Sequence, residues 1–328
     1  QTIRSHRPLE QHYTHSVLTP SNVHTSLGLA AVTLLGVLVA SCGSARRAPP
    51  AVPTGPPAEP ARKTEGTKPS FQPTPLIHIE GGTFMMGNKL GTFRELPVHE
   101  VTVEAFAIEE HEVTAAQYNA CVAAGACSAP GRTGNFEGLE VKEDTQTLLN
   151  LACTGHDPSR KHHPITCVDW HQASAYCAWI GRRLPTEEEW EFAARGEEGR
   201  TFVWGDDESL EQKAGNFSDA SWRRIGYAGR VFGYHYDDGF PLTAPPKSFP
   251  DDRTPEGVYD LAGNVTEWTA SPFCLYSEPD CETDMKAIRG ASWFMMGAGS
   301  AARRDPVKPA LTLGSFGFRC AANVQGKM

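Results

Sequence analysis

The chain has 328 residues, of which 40% are hydrophobic and 21% charged, and these proportions are typical of a globular protein. Its net charge is −9 at pH 7, so the composition provides no basic surface for a nucleic acid, and we expect no nucleic-acid partner. The 31 glycines and 25 prolines favour a fold that is rich in loops. Beyond an N-terminal stretch without core-forming patterns, about 250 residues remain, enough for one large domain or two small ones.

An apolar segment near the N-terminus predicts export. Residues 27–40, LGLAAVTLLGVLVA, are uncharged and have the length of the hydrophobic region of a signal peptide, too short for a transmembrane helix. Small residues precede Cys42, as in bacterial lipoproteins. We therefore assign residues 1–42 to a signal peptide with a lipobox, in which Cys42 is lipidated; an ordinary cleaved signal peptide is the alternative. The expected location is the bacterial cell envelope, at the outer membrane or in the periplasm, with membrane contact through the lipid alone.

Residues 43–75 are rich in proline and contain few apolar side chains. Such a composition cannot bury enough surface to fold, and it favours an extended chain. We predict a disordered tether that holds a domain away from the membrane. The folded domain is then expected over residues 76–323, followed by a short tail at residues 324–328.

With Cys42 set aside, eight cysteines remain, and an even number in an exported chain predicts a disulfide framework. Roughly a hundred pairings are possible. Proximity along the sequence favours three short loops and elimination leaves one long closure, which gives the pairs Cys121–Cys127, Cys153–Cys167, Cys274–Cys281 and Cys177–Cys320. The chain has no Cys-x-x-Cys pair, which disfavours a zinc site.

Three helices are predicted from their end signals. Thr114 and Gln117 form a capping box that opens the first helix. Apolar residues at helical spacing predict the second from Asp169 to Trp179, with a stop at Gly181.

The third helix has the clearest signals. Thr186 is its predicted cap, Glu189 completes the capping box, and Gly196 ends it. Residues 77–79 and 99–103 alternate in polarity and predict strands, separated from one another by loops.

Six sequence blocks occur in the order found in the formylglycine-generating, or sulfatase-modifying-factor, family. They are GGTFMMG (81–87), EVTAAQY (112–118), RRLPTEEEWEFAARG (182–196), GVYDLAGNVTEWTAS (257–271), IRGASW (288–293) and GFRCA (317–321). The chain resembles this family over the predicted domain. The resemblance implies an α+β fold, a variant of the C-type lectin fold with little regular secondary structure. It also implies a Cys177–Cys320 disulfide.

The resemblance further implies two calcium sites, and calcium is the expected cofactor. One set comprises the side chains of Asn216 and Asp238 and the backbone carbonyls of Phe217 and Phe240. The other comprises the side chains of Asp260 and Glu267 and the backbone carbonyls of Gly263 and Val265. Irregular loops of this kind supply the oxygen ligands that calcium takes. The alternative is that these acidic residues only stabilise turns.

Oxidases of this family bind copper(I) through a pair of cysteine thiolates, and the resemblance places that pair at Met295 and Ser300. Copper(I) prefers soft thiolate sulfur, so a thioether and a hydroxyl are poor substitutes. We therefore expect no copper and assign no catalytic residue; a copper site built on Met295 and Met296 is the alternative. The surrounding segment is expected to shape a pocket, whose predicted residues are Arg289, Ser292, Trp293 and, where the family has a tryptophan, Thr266.

Other catalytic interpretations have less support. The acidic run at residues 187–189 opens a helix, where carboxylates favour the helix dipole and solvent. His162 and His163 are adjacent, so their side chains point apart, and a surface loop is the expected structure. The iron-dependent sulfoxide synthases, a second class with this fold, need a helical domain that residues 1–75 cannot supply.

Two hypotheses of function follow. The first is a non-catalytic, envelope-anchored module that binds a peptide, a glycan or a partner protein of unknown identity. The second is an oxidoreductase of the formylglycine-generating type with altered metal ligands. Metal content separates them, because a domain that holds calcium without copper supports the first.

Overall fold

The structure is a computed structural model that describes residues 71–207, 209, 214–227, 235–297 and 300–324. The chain divides after Ser70, and the unit described here is the second, Phe71–Met328. The predicted signal peptide, Cys42, most of the predicted tether and the last four residues of the tail lie outside the described ranges. Within those ranges, no helix has both the length and the apolar character that crossing a bilayer requires.

The folded unit begins earlier than predicted. The ring of Phe71 lies 4.6 Å from that of Trp179. Thr74 is buried, and its carbonyl accepts a hydrogen bond of 2.8 Å from Arg182 Nη1. Residues 71–75 therefore belong to the domain, and the boundary predicted for the tether is corrected, because backbone contacts hold a segment whose composition alone does not indicate folding.

The described residues contain α1 (Ala115–Ala123), α2 (Glu143–Leu151), α3 (Trp170–Trp179) and α4 (Glu187–Arg195). The predicted caps at Thr114 and Thr186 are confirmed, and so is the helix predicted from Asp169 to Trp179, which the side chain of Asp169 caps. Each capping side chain accepts a hydrogen bond from the backbone N–H of the third residue of its helix. Helix α2 was not predicted from the sequence. Lys142, the residue before it, makes no side-chain cap, and the helix is held instead by burial of Leu148 and its neighbour.

The strands are short, with bounds β1 (Leu76–Ile79), β2 (Gly82–Met86), β3 (His99–Val103), β4 (Phe106–Glu109), β5 (Thr266–Pro272), β6 (Lys286–Arg289), β7 (Arg304–Val307), β8 (Phe316–Gly317) and β9 (Ala321–Asn323). In the described part of the chain they form sheets of order β1-β4-β9, β2-β3 and β7-β6-β5-β8. Strand β5 pairs parallel with β8 and antiparallel with β6, opposing Glu267 to Arg289. The α+β class with little regular secondary structure is confirmed.

Two apolar clusters form most of the core. One surrounds Trp190 of α4, and the other surrounds Tyr176 of α3 and Trp268 of β5. The Trp190 indole donates a 2.9 Å hydrogen bond to Glu267 Oε2. Polar groups therefore lie between the two clusters, at the first positions of β5.

The structure contains the same four disulfides that the sequence analysis reached, Cys121–Cys127, Cys153–Cys167, Cys177–Cys320 and Cys274–Cys281. Cys177–Cys320 spans a sequence separation of 143 residues and joins α3 to the residue before β9. In the chain-entropy model a closure of that length stabilises the fold by about 5 kcal/mol. Both of its cysteines are fully buried.

Candidate binding site

The segment between β6 and β7 carries Met295 and Ser300, the positions that the family resemblance assigns to copper-binding cysteines. Arg289 ends β6, Arg304 begins β7, and the two residues are cross-strand partners. The chain turns at Gly290, where φ is +78° and a Cβ would lie 2.9 Å from the carbonyl oxygen of Leu261. A side chain at Gly290 would therefore collide with the backbone, which explains the glycine.

A buried ion-pair cluster fixes both ends of this segment to α4. Arg289 pairs with Glu191 and, at 3.4 Å, with Glu187. Arg304 Nη2 donates to Glu187 Oε2 at 2.9 Å, and Arg195 Nη1 donates to Glu191 Oε1 at 2.6 Å. All five side chains are buried, so each charge depends on its partners for compensation.

This cluster corrects the interpretation of the acidic run at the start of α4. Glu187 is buried in the cluster, and Glu189 is buried against Arg183, which donates at 2.6 Å to each of its oxygens. Only Glu188 of the three keeps partial exposure. The arginine partners of Glu187 lie 102 and 117 residues away, so a local rule about helix dipoles does not find them.

Neither position of the missing cysteines carries a free soft ligand. Met295 is partly buried against the apolar cluster around Trp190. Ser300 Oγ donates a 3.2 Å hydrogen bond to Glu95 Oε2. Glu95 is buried, and its other oxygen accepts from the backbone N–H of Thr92 at 3.1 Å. The hydroxyl is thus engaged by a carboxylate, a hard anionic partner.

A small pocket lies beside Ser300, lined by Phe202, Val203, Leu261, Ala262, Gly290, Ser300 and Ala301. Among the lining side chains only that of Ser300 carries a polar group, and the cavity has room for about one water molecule. The four residues predicted to line a pocket, Arg289, Ser292, Trp293 and Thr266, are buried in the interior instead. The hydroxyls of Ser292 and Thr266 have no hydrogen-bond partner among the residues that the structure describes.

The first predicted calcium set lies on two loops that run antiparallel. Asn216 Nδ2 donates to the carbonyl of Leu242 at 2.8 Å, and the backbone N–H of Asp238 donates to Asp219 at 2.6 Å. Asn216 Oδ1 and Asp238 Oδ2 are buried atoms that have no hydrogen-bond partner within the described ranges. Burial raises the pKa of Asp238 to about 8. Two orphaned oxygens on facing loops fit a calcium ion.

The same loops bring further oxygen atoms to this set. The residues predicted to offer backbone carbonyl oxygens lie on these loops. Phe217 follows Asn216 directly, and Phe240 comes two residues after Asp238. Carboxylate oxygens of Asp219, Asp237 and Asp238 lie within 4.8 Å of one another. Asp219 and Asp237 were not predicted, although the sequence repeats Asp at positions 237 and 238.

The second predicted set suits calcium by its negative charge, although carboxylate oxygens of Asp260 and Glu267 already accept hydrogen bonds from the protein. Asp260 Oδ2 accepts from the backbone N–H of Lys247 at 2.6 Å. Both oxygens of Glu267 accept from Arg319, at 2.7 to 3.0 Å. The other predicted donors, the carbonyls of Gly263 and Val265, lie on the buried turn that joins these acids.

Two more buried carboxyls, Glu112 and Asp252, accompany this set. Burial raises the pKa of Asp260 to about 7, and burial together with the charge of Asp260 raises the pKa of Glu112 and of Asp252. Arg319 pairs with Glu267 and acts on the other three buried carboxyls through its charge alone, and a divalent ion would offset the charge that remains.

Comparison with known proteins gives the context for this geometry. The family described as "Sulfatase-modifying factor enzyme 1-like domain" matches residues 62–324. "Inactive C-alpha-formylglycine-generating enzyme 2" of Mus musculus is 34% identical over 280 residues, covering 76% of this chain and 85% of that protein. "Formylglycine-generating enzyme" of Mycobacterium tuberculosis is 34% identical over 234 residues, covering 61% and 75%.

Solved structures agree on the fold. PvdO from Pseudomonas aeruginosa matches with a TM-score of 0.56 and 25% identity, covering 76% of this chain and 94% of that one. "Treponema denticola variable protein 1" matches with a TM-score of 0.54 and 18% identity, covering 76% and 95%. The fold predicted from the six sequence blocks is thereby confirmed.

The ion-pair cluster makes a prediction about stability. Replacing Glu191→Gln leaves Arg195 buried without its anion and Arg289 with Glu187 alone, and we expect a loss of about 3–5 kcal/mol in the free energy of unfolding. Glu198→Gln is the matched control, because Glu198 pairs with Arg200 but is exposed to solvent. Losing this ion pair should lower the free energy of unfolding by less than about 1 kcal/mol. Chemical denaturation measures both. Equal stability of the two variants would contradict this role of the cluster.

Proposed function

Because the chain belongs to the sulfatase-modifying factor family, we propose that it is a non-catalytic member, a module that binds a peptide, a glycan or a partner protein. The observation that carries the proposal is the pair Met295 and Ser300 at the positions where the family's oxidases have copper-binding cysteines. Copper(I) is held by thiolates, and neither residue can provide one.

The contacts of the two residues support the same conclusion. The Met295 side chain, a thioether, packs against the apolar cluster around Trp190. Ser300 directs its proton to Glu95, so its oxygen is part of a hydrogen-bonded pair. A cysteine pair exchanges electrons by forming and breaking a disulfide, and Met295 and Ser300 cannot form one.

The relatives include both kinds of protein. The mouse relative is named inactive, whereas the Mycobacterium tuberculosis relative is named as a formylglycine-generating enzyme. Their identity to this chain is equal, at 34%, so overall similarity does not decide between the two functions. The residues at positions 295 and 300 favour the inactive kind.

The pocket beside Ser300 does not select the ligand. It has room for about one water molecule, so neither an amino-acid side chain nor a sugar ring fits inside it. The partner, whether a peptide, a glycan or a protein, would therefore bind on the surrounding surface.

We further propose that calcium is the resident ion and that lipidated Cys42 attaches the module to the bacterial cell envelope. Asn216 and Asp238 would hold one calcium together with the carbonyls of Phe217 and Phe240, and the acids around Asp260 would hold the other. Calcium would cross-link loops that have little regular structure, a structural contribution.

Calcium should raise thermal stability, since the folded loops bind it and the unfolded chain does not. At a hundredfold excess over Kd we expect about 2.7 kcal/mol, and Asp238→Asn should lose much of this gain. The matched control is Asp251→Asn, because Asp251 is exposed and outside both sets. Thermal melts of chelator-treated protein, verified free of metal by elemental analysis, provide the test. A melting curve that calcium does not move would remove calcium from the proposal.

Restoring the cysteines tests the reason for inactivity. The double variant Met295→Cys/Ser300→Cys should bind copper(I) about 10²-fold or more tightly than either single variant, because two linked thiolates act together. Competitive titration against a copper(I) chelator measures the affinity. The matched control is Met296→Cys/Ser300→Cys, which moves one thiol to an exposed neighbouring position. If the unaltered protein binds copper(I) as tightly as the double variant, the oxidoreductase alternative takes the place of this proposal.

A further inference from the structure

One of the four disulfides is accessible from solvent. Cys281 is exposed and Cys274 is partly exposed. Every cysteine of the other three disulfides is buried, with at most 9% of its surface accessible. Exposed disulfides are the ones that thiols reduce first, because a thiolate must reach a sulfur atom to attack it.

The loop that this disulfide closes carries Tyr276. The Tyr276 hydroxyl donates a 3.0 Å hydrogen bond to Glu187 Oε1. The Arg304 guanidinium carbon lies 3.9 Å from the centre of the tyrosine ring, and the His99 ring lies at 4.5 Å. Tyr276 therefore covers one side of the buried ion-pair cluster and contacts two of its members.

The contacts continue from Arg304 to the pocket. Arg304 Nη1 donates to the carbonyl of Arg94 at 3.0 Å. The next residue, Glu95, accepts the hydrogen bond from Ser300, which lines the pocket. A chain of contacts through Arg304, Arg94 and Glu95 thus connects Tyr276 to the pocket wall.

Apart from Tyr276, which also packs against the apolar cluster around Trp190, the described part of this loop is held mainly by backbone hydrogen bonds. Inside it, the N–H of Glu278 bonds to the carbonyl of Leu275 at 2.8 Å, which closes a local turn. At its start, the N–H of Phe273 bonds to the carbonyl of Met285 at 3.0 Å. The disulfide is the covalent constraint that keeps Tyr276 over the cluster.

We infer that the Cys274–Cys281 disulfide is a thiol-sensitive latch: when a dithiol reduces it, Tyr276 leaves Arg304 and Glu187, and the pocket wall at Ser300 loosens. A thiolate of the dithiol attacks one sulfur, the Cys274–Cys281 bond breaks, and the second thiol resolves the mixed disulfide. Two electrons pass to the protein, which gains two thiols, and the reagent becomes a disulfide. The inference concerns conformation and stands whether or not the pocket binds a partner.

The first test is the order of reduction. The full-length protein is treated with limiting dithiothreitol, alkylated, and mapped by mass spectrometry. Among the eight cysteines of the four disulfides, Cys274 and Cys281 should be labelled first. Labelling of Cys121 and Cys127 first, or of all pairs together, would overturn the latch.

The second test is hydrogen exchange of the oxidised and selectively reduced protein. Peptides covering residues 274–281 and 300–307 should both exchange about tenfold faster after reduction, the effect of losing a hydrogen bond to a charged group. Peptides from α1 should not change. Faster exchange confined to residues 274–281 would contradict the coupling.

Tyr276→Phe separates the tyrosine from the disulfide. It removes only the hydroxyl that binds Glu187, so residues 300–307 should exchange faster already in the oxidised variant. Reduction should then add less to those residues than it adds in the unaltered protein, because the same contact cannot be lost twice. Full additivity of the two changes would show that Tyr276 is not the link.

Discussion

The arrangement of the site depends on the buried ion pairs between α4 and the ends of β6 and β7. Arg289 and Arg304 bracket the segment that carries Met295 and Ser300, and both arginines are held by carboxylates of α4. Charges buried this completely permit few alternative arrangements, since moving one leaves another uncompensated. The segment can therefore keep its shape without a metal or a cysteine pair. This explains how the family scaffold persists where its redox ligands do not.

Much of the fold follows from local signals. The caps at Thr114 and Thr186 locate two helices because capping involves residues only three apart, and the spacing of apolar residues locates α3. The disulfides follow from proximity and elimination, since three of the four close loops of at most 14 residues. Helix α2 has no such cap, and its position depends on burial against the rest of the chain, which local sequence does not contain.

The site is less predictable for a physical reason. The arginine partners of Glu187 are more than one hundred residues away, so its burial cannot be inferred from its place at a helix start. The predicted pocket residues have the same difficulty: Arg289 and Trp293 are drawn into the interior by distant partners, and Gly290 and Ser300 are left to form the wall. The family resemblance indicates which positions belong to the site, and the structure shows which of their side chains reach the surface.

The account rests on the absence of the thiolate pair, and one measurement tests it directly. The unaltered protein, supplied with copper and oxygen, is incubated with a cysteine-containing peptide of the sulfatase type, and the peptide is analysed by mass spectrometry. The Mycobacterium tuberculosis relative named as a formylglycine-generating enzyme serves as the positive control. We predict that the peptide cysteine is unchanged while the control converts it to an aldehyde. Conversion by this protein, abolished by a copper chelator, would contradict the account and make Met295 the first residue to replace.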